Sequence, residues 1–442
     1  MSPLSAIRVE IAIRPLGGEG GKGGEAKTAP ADYIFMLRDP GPNECQGGTA
    51  KFMHRAGDYS PSNGMGERTI LSGMNPQDAY STWAEVDLSA IEANVGLLVK
   101  HTGVRVMAVV KADGYGHGAV PVAKAAIRGG AAWCGVARVE EALELRQARI
   151  ECPILLLGWV PPSRIREMAE AQVSLAVWDP EQIQAAASAG QAGGPVRLHL
   201  KIDTGMSRLG APPEQAVELA RLISARPKLV FEGVFTHFAR ADEPSQLTTD
   251  AQEKAFRQVV ESMHSAGLRP ELAHAANSAA ALTRPEAAFD MVRTGIAIYG
   301  LHPSSACPLP SSFRSALTWK TQLAQVKTLP AGRGVSYGHA YVTRANERIG
   351  TIPVGYADGF RRMDGNIVLV KGRRAPIVGR VCMDQILVQL DGVPDAVEGS
   401  EVVLLGQQGN ERISAEEIAQ RWATINYEVV CGIGRRVPRV YT

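Results

Sequence analysis

A chain of 442 residues has room for two domains and a large core, and 45% hydrophobic with 21% charged residues is the make-up of a globular protein. A formal net charge of +2 gives no argument for a nucleic-acid partner or a membrane surface, and no apolar stretch reaches the length of a membrane span. Six scattered cysteines, without a C-x-x-C pair or a His/Cys cluster, argue for reduced thiols in the cytoplasm and against a disulfide framework or a zinc site.

Residues 1–80 read as a low-complexity extension. Gly17 to Lys27 is rich in Gly, Lys and Glu, and Pro, Gly, Ser and Asn recur up to Pro76. Such a segment buries too little apolar surface to offset its ordering entropy, so disorder is expected. A targeting or partner-binding tail is the alternative, although no motif supports it. Arg8, Glu10 and Arg14 interrupt what would be a signal peptide. A natural start at Met65 or Met74 is a third reading.

Order is expected from Trp83, where Trp-Ala-Glu-Val-Asp-Leu alternates as a strand. Ser89-Ala-Ile-Glu92 has the form of a capping box that opens a helix. Apolar runs follow at 106–110, 133–137, 153–158, 174–178, 196–202, 229–235, 272–276 and 291–299, separated by helical stretches such as Pro180 to Ala189 and Pro213 to Ala225. This α/β alternation predicts a (β/α)₈ barrel over 81–312. A doubly wound open sheet shares the alternation, but about eight repeats favour closure. Beyond residue 312 short strand-like runs dominate: 317–329, 347–354, 367–371, 375–390 and 401–405. A second, mostly β domain is expected over 313–442.

The most telling segment is Val106-Met-Ala-Val-Val-Lys111-Ala-Asp-Gly-Tyr115-Gly-His-Gly-Ala119. A lysine at the tip of a buried strand is costly to desolvate unless it is paired or chemically used. A desolvated amine releases its proton more easily, which suits a Schiff-base nucleophile or a general base. Gly114, Gly116 and Gly118 permit positive φ and close backbone approach to a ligand. Other strand ends carry polar residues: Lys201 with Arg208, Thr236-His237, Asn277-Ser278 and Arg293-Thr-Gly295-Ile296. In a barrel these ends build the active site. A single His or Arg at such a position is more often a structural hydrogen-bond donor; the set together is the signal.

The order and surroundings of these motifs resemble those of the bacterial alanine racemases, over roughly residues 83–440. The resemblance implies a pyridoxal 5'-phosphate (PLP) enzyme that interconverts L- and D-alanine and supplies D-alanine for peptidoglycan. Lys111 matches the lysine that holds PLP. Tyr115, Ser278 and the amides of Gly295 and Ile296 match the phosphate cradle. Arg293 matches the arginine facing the pyridine nitrogen, which it leaves unprotonated because guanidinium only donates. His237 matches the histidine linking that arginine to the catalytic tyrosine. Arg208 matches a contact to the PLP hydroxyl and the substrate carboxylate, and Lys201 a lysine carbamylated in several members. From the second domain, Gly334-Val-Ser-Tyr337-Gly338 resembles the segment with the second base, which reaches the barrel of a partner subunit. Gly379 to Asp384 resembles the segment whose methionine amide, here that of Met383, binds the substrate carboxylate. Tyr356-Ala-Asp-Gly resembles part of the entrance corridor. A homodimer with composite sites follows. One base on each face of the cofactor allows racemisation without turning the substrate, Lys111 acting on D-alanine and Tyr337 on L-alanine.

The closing motif, Asn426 to Arg439, departs from some members at Arg435, which stands where they carry a tyrosine touching the phosphate. This opens the alternative of a serine or broad-specificity racemase. A non-catalytic PLP-binding protein would lack the β domain and Tyr337. A decarboxylase would place an acid where Arg293 stands.

Overall fold

The computed structural model describes residues 75–442, with the backbone alone at 191–193. The expected disordered extension therefore lies outside the described residues up to residue 74. Its last residues are ordered: Pro76–Ala79 form one helical turn capped by the Asn75 side chain.

Strand β1 (Thr82–Val86) precedes a barrel of eight parallel strands. These are β2 (Arg105–Val109), β3 (Trp133–Val136), β4 (Ile154–Leu156), β5 (Val173–Val177), β6 (Val196–Lys201), β7 (Leu229–Phe235), β8 (Leu272–His274) and β9 (Met291–Thr294). Their order is β8-β7-β6-β5-β4-β3-β2-β9. The seam between β8 and β9 is closed by irregular bonds instead of a ladder: the Asp290 and Arg293 amides donate to Ala273 O (3.0 Å) and Ala276 O (2.9 Å). The closed arrangement, not the open sheet, is the one adopted. The strands are buried on both faces because helices cover them, which explains why they read as unbroken apolar runs. The helix after β1 spans Leu88–Thr102, and its cap is Asp87, which accepts from the Ala90 amide (2.9 Å). The expected cap, Ser89, instead donates its hydroxyl to Asp87 (2.6 Å); the carboxylate two residues earlier is the stronger acceptor.

The second domain contains β10 (Leu317–Gln322), β11 (Gln325–Leu329), β12 (Gly334–Val335), β13 (Tyr341–Val342), β14 (Glu347–Ile352), β15 (Ile367–Val370), β16 (Arg373–Pro376), β17 (Ile386–Gln389), β18 (Glu401–Gln408), β19 (Glu411–Ile413) and β20 (Arg439–Tyr441). One sheet runs β16-β15-β18-β10-β1-β20 with β19 on β18, and another β11-β14-β17. Two runs expected as continuous are split. Residues 317–329 bend at Leu323 and Ala324 so that β10 and β11 enter different sheets. Residues 375–390 open between β16 and β17 into the loop that carries Gly379 to Asp384. β1 also departs from the expected barrel segment 81–312. It pairs antiparallel with β10 and parallel with β20, so the first strand of the described residues is an inner strand of the β domain.

Candidate active site

The barrel's C-terminal end opens into a cavity of about 1390 Å³. Lys111, Tyr115, Lys201, Arg208, His237, Ser278, Arg293, Gly295 and Ile296 all line it. The ends of five different strands and the loops after them deliver these residues to one place, as parallel barrel strands ending on one rim require.

Lys111 follows β2 after a single residue, Val110, and the chain then makes a left-handed turn. Ala112, Asp113, Gly114 and Tyr115 have φ of 54°, 54°, 59° and 52°. Non-glycine residues held there cost roughly 1–2 kcal/mol each. The turn is secured from three sides. Glu141 accepts from the amides of Ala112 (2.7 Å), Ala137 (2.8 Å) and Arg138 (3.1 Å). Asp113 accepts from the Ala119 amide (3.0 Å). Arg439, from β20, donates to Gly116 O (2.9 Å). Burial, with the Arg208 charge near it, pulls the Lys111 amine below the usual lysine range.

The Arg293 guanidinium is enclosed, and its two Nη groups donate to neutral acceptors. It reaches Thr236 O (2.7 Å), Ala275 O (2.9 Å), His274 O (3.1 Å), His274 Nδ1 (2.9 Å) and His237 Nδ1 (3.1 Å). Burial pulls it down to about 9, so it stays protonated at neutral pH. Burial, with the charges of Arg293 and Lys201, holds His237 well below the histidine range. His237 is therefore neutral, and because its Nδ1 accepts from Arg293 its proton sits on Nε2. Lys201 is brought down to about 8 by burial and the charges of Arg293 and Arg208.

These residues fit PLP. The Ser278 hydroxyl gathers the amides of Gly295 (3.0 Å) and Ala297 (3.4 Å). A Cβ at Gly295 would lie 2.4 Å from the Tyr115 hydroxyl and displace it. The Tyr115 phenol, raised by burial and the nearby Tyr427, keeps its proton to donate. This group of amides and hydroxyls suits a phosphate, and the clustered cations Lys111, Lys201, Arg208 and Arg293 suit anionic ligands.

The remaining expected residues lie elsewhere. Tyr337 sits in the turn between β12 and β13, 70% exposed, and Met383 and Tyr356 are 52% and 46% exposed. None lines the cavity of its own chain. They form a second constellation. The Ser336 hydroxyl donates to Arg380 O (2.6 Å), and the amides of Tyr356 and Ala357 donate to Cys382 O (3.0 Å) and Met383 O (3.1 Å). Asp384 pairs with Arg436 (2.8 Å), which also holds the buried Asp358 (2.8 Å). Arg435 is exposed and outside the cavity; Tyr427 and Cys431 of the same motif line it instead. Sequence reasoning overlooked Tyr427, Glu141 and Arg439. Tyr427 and Arg439 both lie within the quoted closing motif, whereas Glu141 lies in none of the quoted motifs.

Two family models match the chain: "Alanine racemase, N-terminal domain" over residues 86–303 and "Alanine racemase, C-terminal domain" over 316–441. The chain is 48% identical over 376 residues to the alanine racemase of Symbiobacterium thermophilum, covering 84% of this chain and 98% of that protein. It is 44% identical to alanine racemase 1 of Bacillus subtilis, covering 81% and 92%. A crystal structure of alanine racemase from Streptomyces lavendulae superposes with a TM-score of 0.79 at 43% identity, covering 82% and 97%. Sequence, fold and cavity agree, and the chain belongs to the alanine racemase family.

Proposed function

We propose that the chain is a PLP-dependent alanine racemase acting as a homodimer with composite sites. The observation that carries this reading is the division of the expected residues into two constellations. Lys111 and the cofactor-facing set line a cavity, whereas Tyr337 and Met383 are exposed outside it. Two copies brought together give each cavity a tyrosine and a methionine amide from the other chain.

PLP, when bound, supplies an electron sink that acidifies the Cα–H bond of an attached amino acid. Lys111 would hold it, Tyr115, Ser278, Gly295 and Ile296 its phosphate, and Arg293 its ring nitrogen. Arg208 and the Met383 amide of the other chain would orient the substrate carboxylate. Lys111, with its proton loosened by burial, takes or returns the Cα proton on one face. Tyr337 of the partner subunit serves the other face, with His237 and Arg293 behind it. Arg293 can only donate, which keeps the sink weak and favours return of the proton to Cα. Reduced thiols and this chemistry suit a cytoplasmic enzyme. Arg435, the motive for a broader substrate range, lies outside the cavity and gives that reading no support.

The test is proton–deuterium exchange at Cα of L- and D-alanine in D₂O, with inversion scored by chiral chromatography. Exchange with inversion from both enantiomers is expected, and Lys111→Ala should abolish it together with the cofactor–lysine absorbance. PLP binding without exchange on alanine would overturn the assignment.

A further inference from the structure

Arg293 does not end at the cofactor site. Beneath it a file of buried polar side chains runs down the barrel interior, a space such barrels ordinarily fill with branched apolar side chains. The His274 and His199 rings meet through Nε2 and Nδ1 at 2.9 Å. His199 Nε2 lies 3.2 Å from Glu232 Oε2, Ser174 donates to the same oxygen, and Arg197 Nη1 reaches Glu232 Oε1 at 3.2 Å. His199, His274, Glu232 and Ser174 are all buried, and Arg197, near the start of β6, is half exposed at the opposite rim. The file thus spans the barrel from the cofactor end to the far end.

The direction of every hydrogen bond in the file is determined by its two ends. Arg293 can only donate, so His274 Nδ1 accepts and its proton is on Nε2. His274 Nε2–H then donates to His199 Nδ1, which leaves the His199 proton on Nε2, facing Glu232. An ionised carboxylate can only accept, so the sequence closes without conflict. Burial keeps both imidazoles neutral, and the hydrogen bonds from His199 and Ser174 outweigh burial to hold Glu232 ionised.

Two backbone devices build this arrangement. The register of β6 on β7 pairs Leu198 with Phe231 and His199 with Gly233, so Glu232 is the extra residue of a β-bulge. A bulge re-aims a side chain, here into the barrel. Gly233 leaves room for His199: a Cβ there would lie 2.3 Å from the ring's Nδ1.

We propose that Glu232 is a positioning residue of the cofactor site: acting through His199 and His274, it fixes each tautomer and so holds the Arg293 guanidinium in place, aimed at the cofactor ring. This rests on the racemase reading for its consequence, but not for its geometry. Remove the obligate acceptor and the file can reverse, with His274 placing a proton on Nδ1 against the guanidinium.

The test uses full-length protein with ¹⁵N-labelled histidine, with and without PLP, and reads tautomers from long-range ¹H–¹⁵N spectra at neutral pH. In the wild type both His199 and His274 are expected as neutral Nε2–H forms. Glutamine can donate as well as accept, so Glu232→Gln should bring both into exchange between tautomers. It should lower kcat about tenfold with KM for alanine little changed, the size seen when the group orienting a direct contact is lost. His199→Phe breaks the file at another point and should give the same kcat loss and a mixed His274 tautomer, which keeps the test usable if Glu232→Gln folds poorly. A wild-type His274 protonated on Nδ1 overturns the proposal. So does a folded variant with an unaltered His274 tautomer or an unaltered kcat. A wild type inactive on alanine but with the expected tautomers would count against the racemase reading alone.

Discussion

Lys201 illustrates how position sets chemistry. It occupies the last place on β6, on the face that also carries His199 and Arg197 two and four residues earlier, so its amine enters a pocket already holding Arg293. The folded chain resists protonating it, bringing it from an ordinary 10.5 to about 8. The consequence for stability has a definite sign. Between about pH 8 and 10.5 the unfolded chain binds more protons than the folded one at this site, so stability rises with pH across that window. The cost of the buried cation is fully present below it. In cofactor-free protein, in buffer free of carbon dioxide, Lys201→Gln should flatten the rise of melting temperature from pH 8 to 10.5. An equally steep rise in the variant would show that Lys201 is not desolvated. Lys111 shifts in the same direction and leaves a residual slope in either protein.

At the scale of elements, the left-handed turn after β2 concentrates strain directly beside the reactive lysine. Such strain persists only where the surroundings over-determine the backbone. Here Glu141 is the main clamp, because one carboxylate gathers three amides from two loops, one after β2 and the other after β3. Glu141→Ala should lower stability by roughly 1–2 kcal/mol, for amides left without their acceptor. It should also weaken PLP retention, because the turn presents Lys111 and Tyr115 together. Denaturant midpoints and cofactor titration measure the two effects; wild-type values for both would exclude Glu141 as the clamp. Arg439 adds a longer link. From β20 it donates to Gly116 O (2.9 Å), Gly434 O (2.7 Å), Val437 O (2.7 Å) and Ile433 O (2.7 Å), tying the chain's last strand to the lysine loop.

At the scale of the whole molecule, β1 and β20 bind the two domains into one body. The described residues begin in the β domain's sheet, complete the barrel, and return to pair β20 beside β1. The exposed patch of Tyr337, Met383 and Tyr356 belongs to that same β domain. If it completes a second chain's cavity, complementation follows. Lys111→Ala and Tyr337→Phe homodimers should each be inactive. After subunit exchange, mixed dimers retain one intact site, and about a quarter of wild-type activity should return. No recovery, with exchange verified by mass spectrometry, would show that each site is built within one chain.

The sequence by itself determined the fold class and several of the residues that line the cavity. Barrel strands are buried on both faces and read as continuous apolar runs, and the residues just past them must share a rim, so Lys111, His237, Ser278 and Arg293 were legible from strand ends and motif together. It did not reveal β1's place in the second sheet, because an alternating strand carries no mark of its partner. Nor did it reveal the left-handed turn at Ala112 and Asp113, where non-glycine residues take a conformation that only tertiary clamps such as Glu141 can hold. The polar file beneath Arg293 was hidden for the same reason. His199, Glu232 and His274 lie on three strands, and a bulge and a glycine decide that they touch. Contacts between distant segments are settled by packing and register, and these exist only once the barrel has closed.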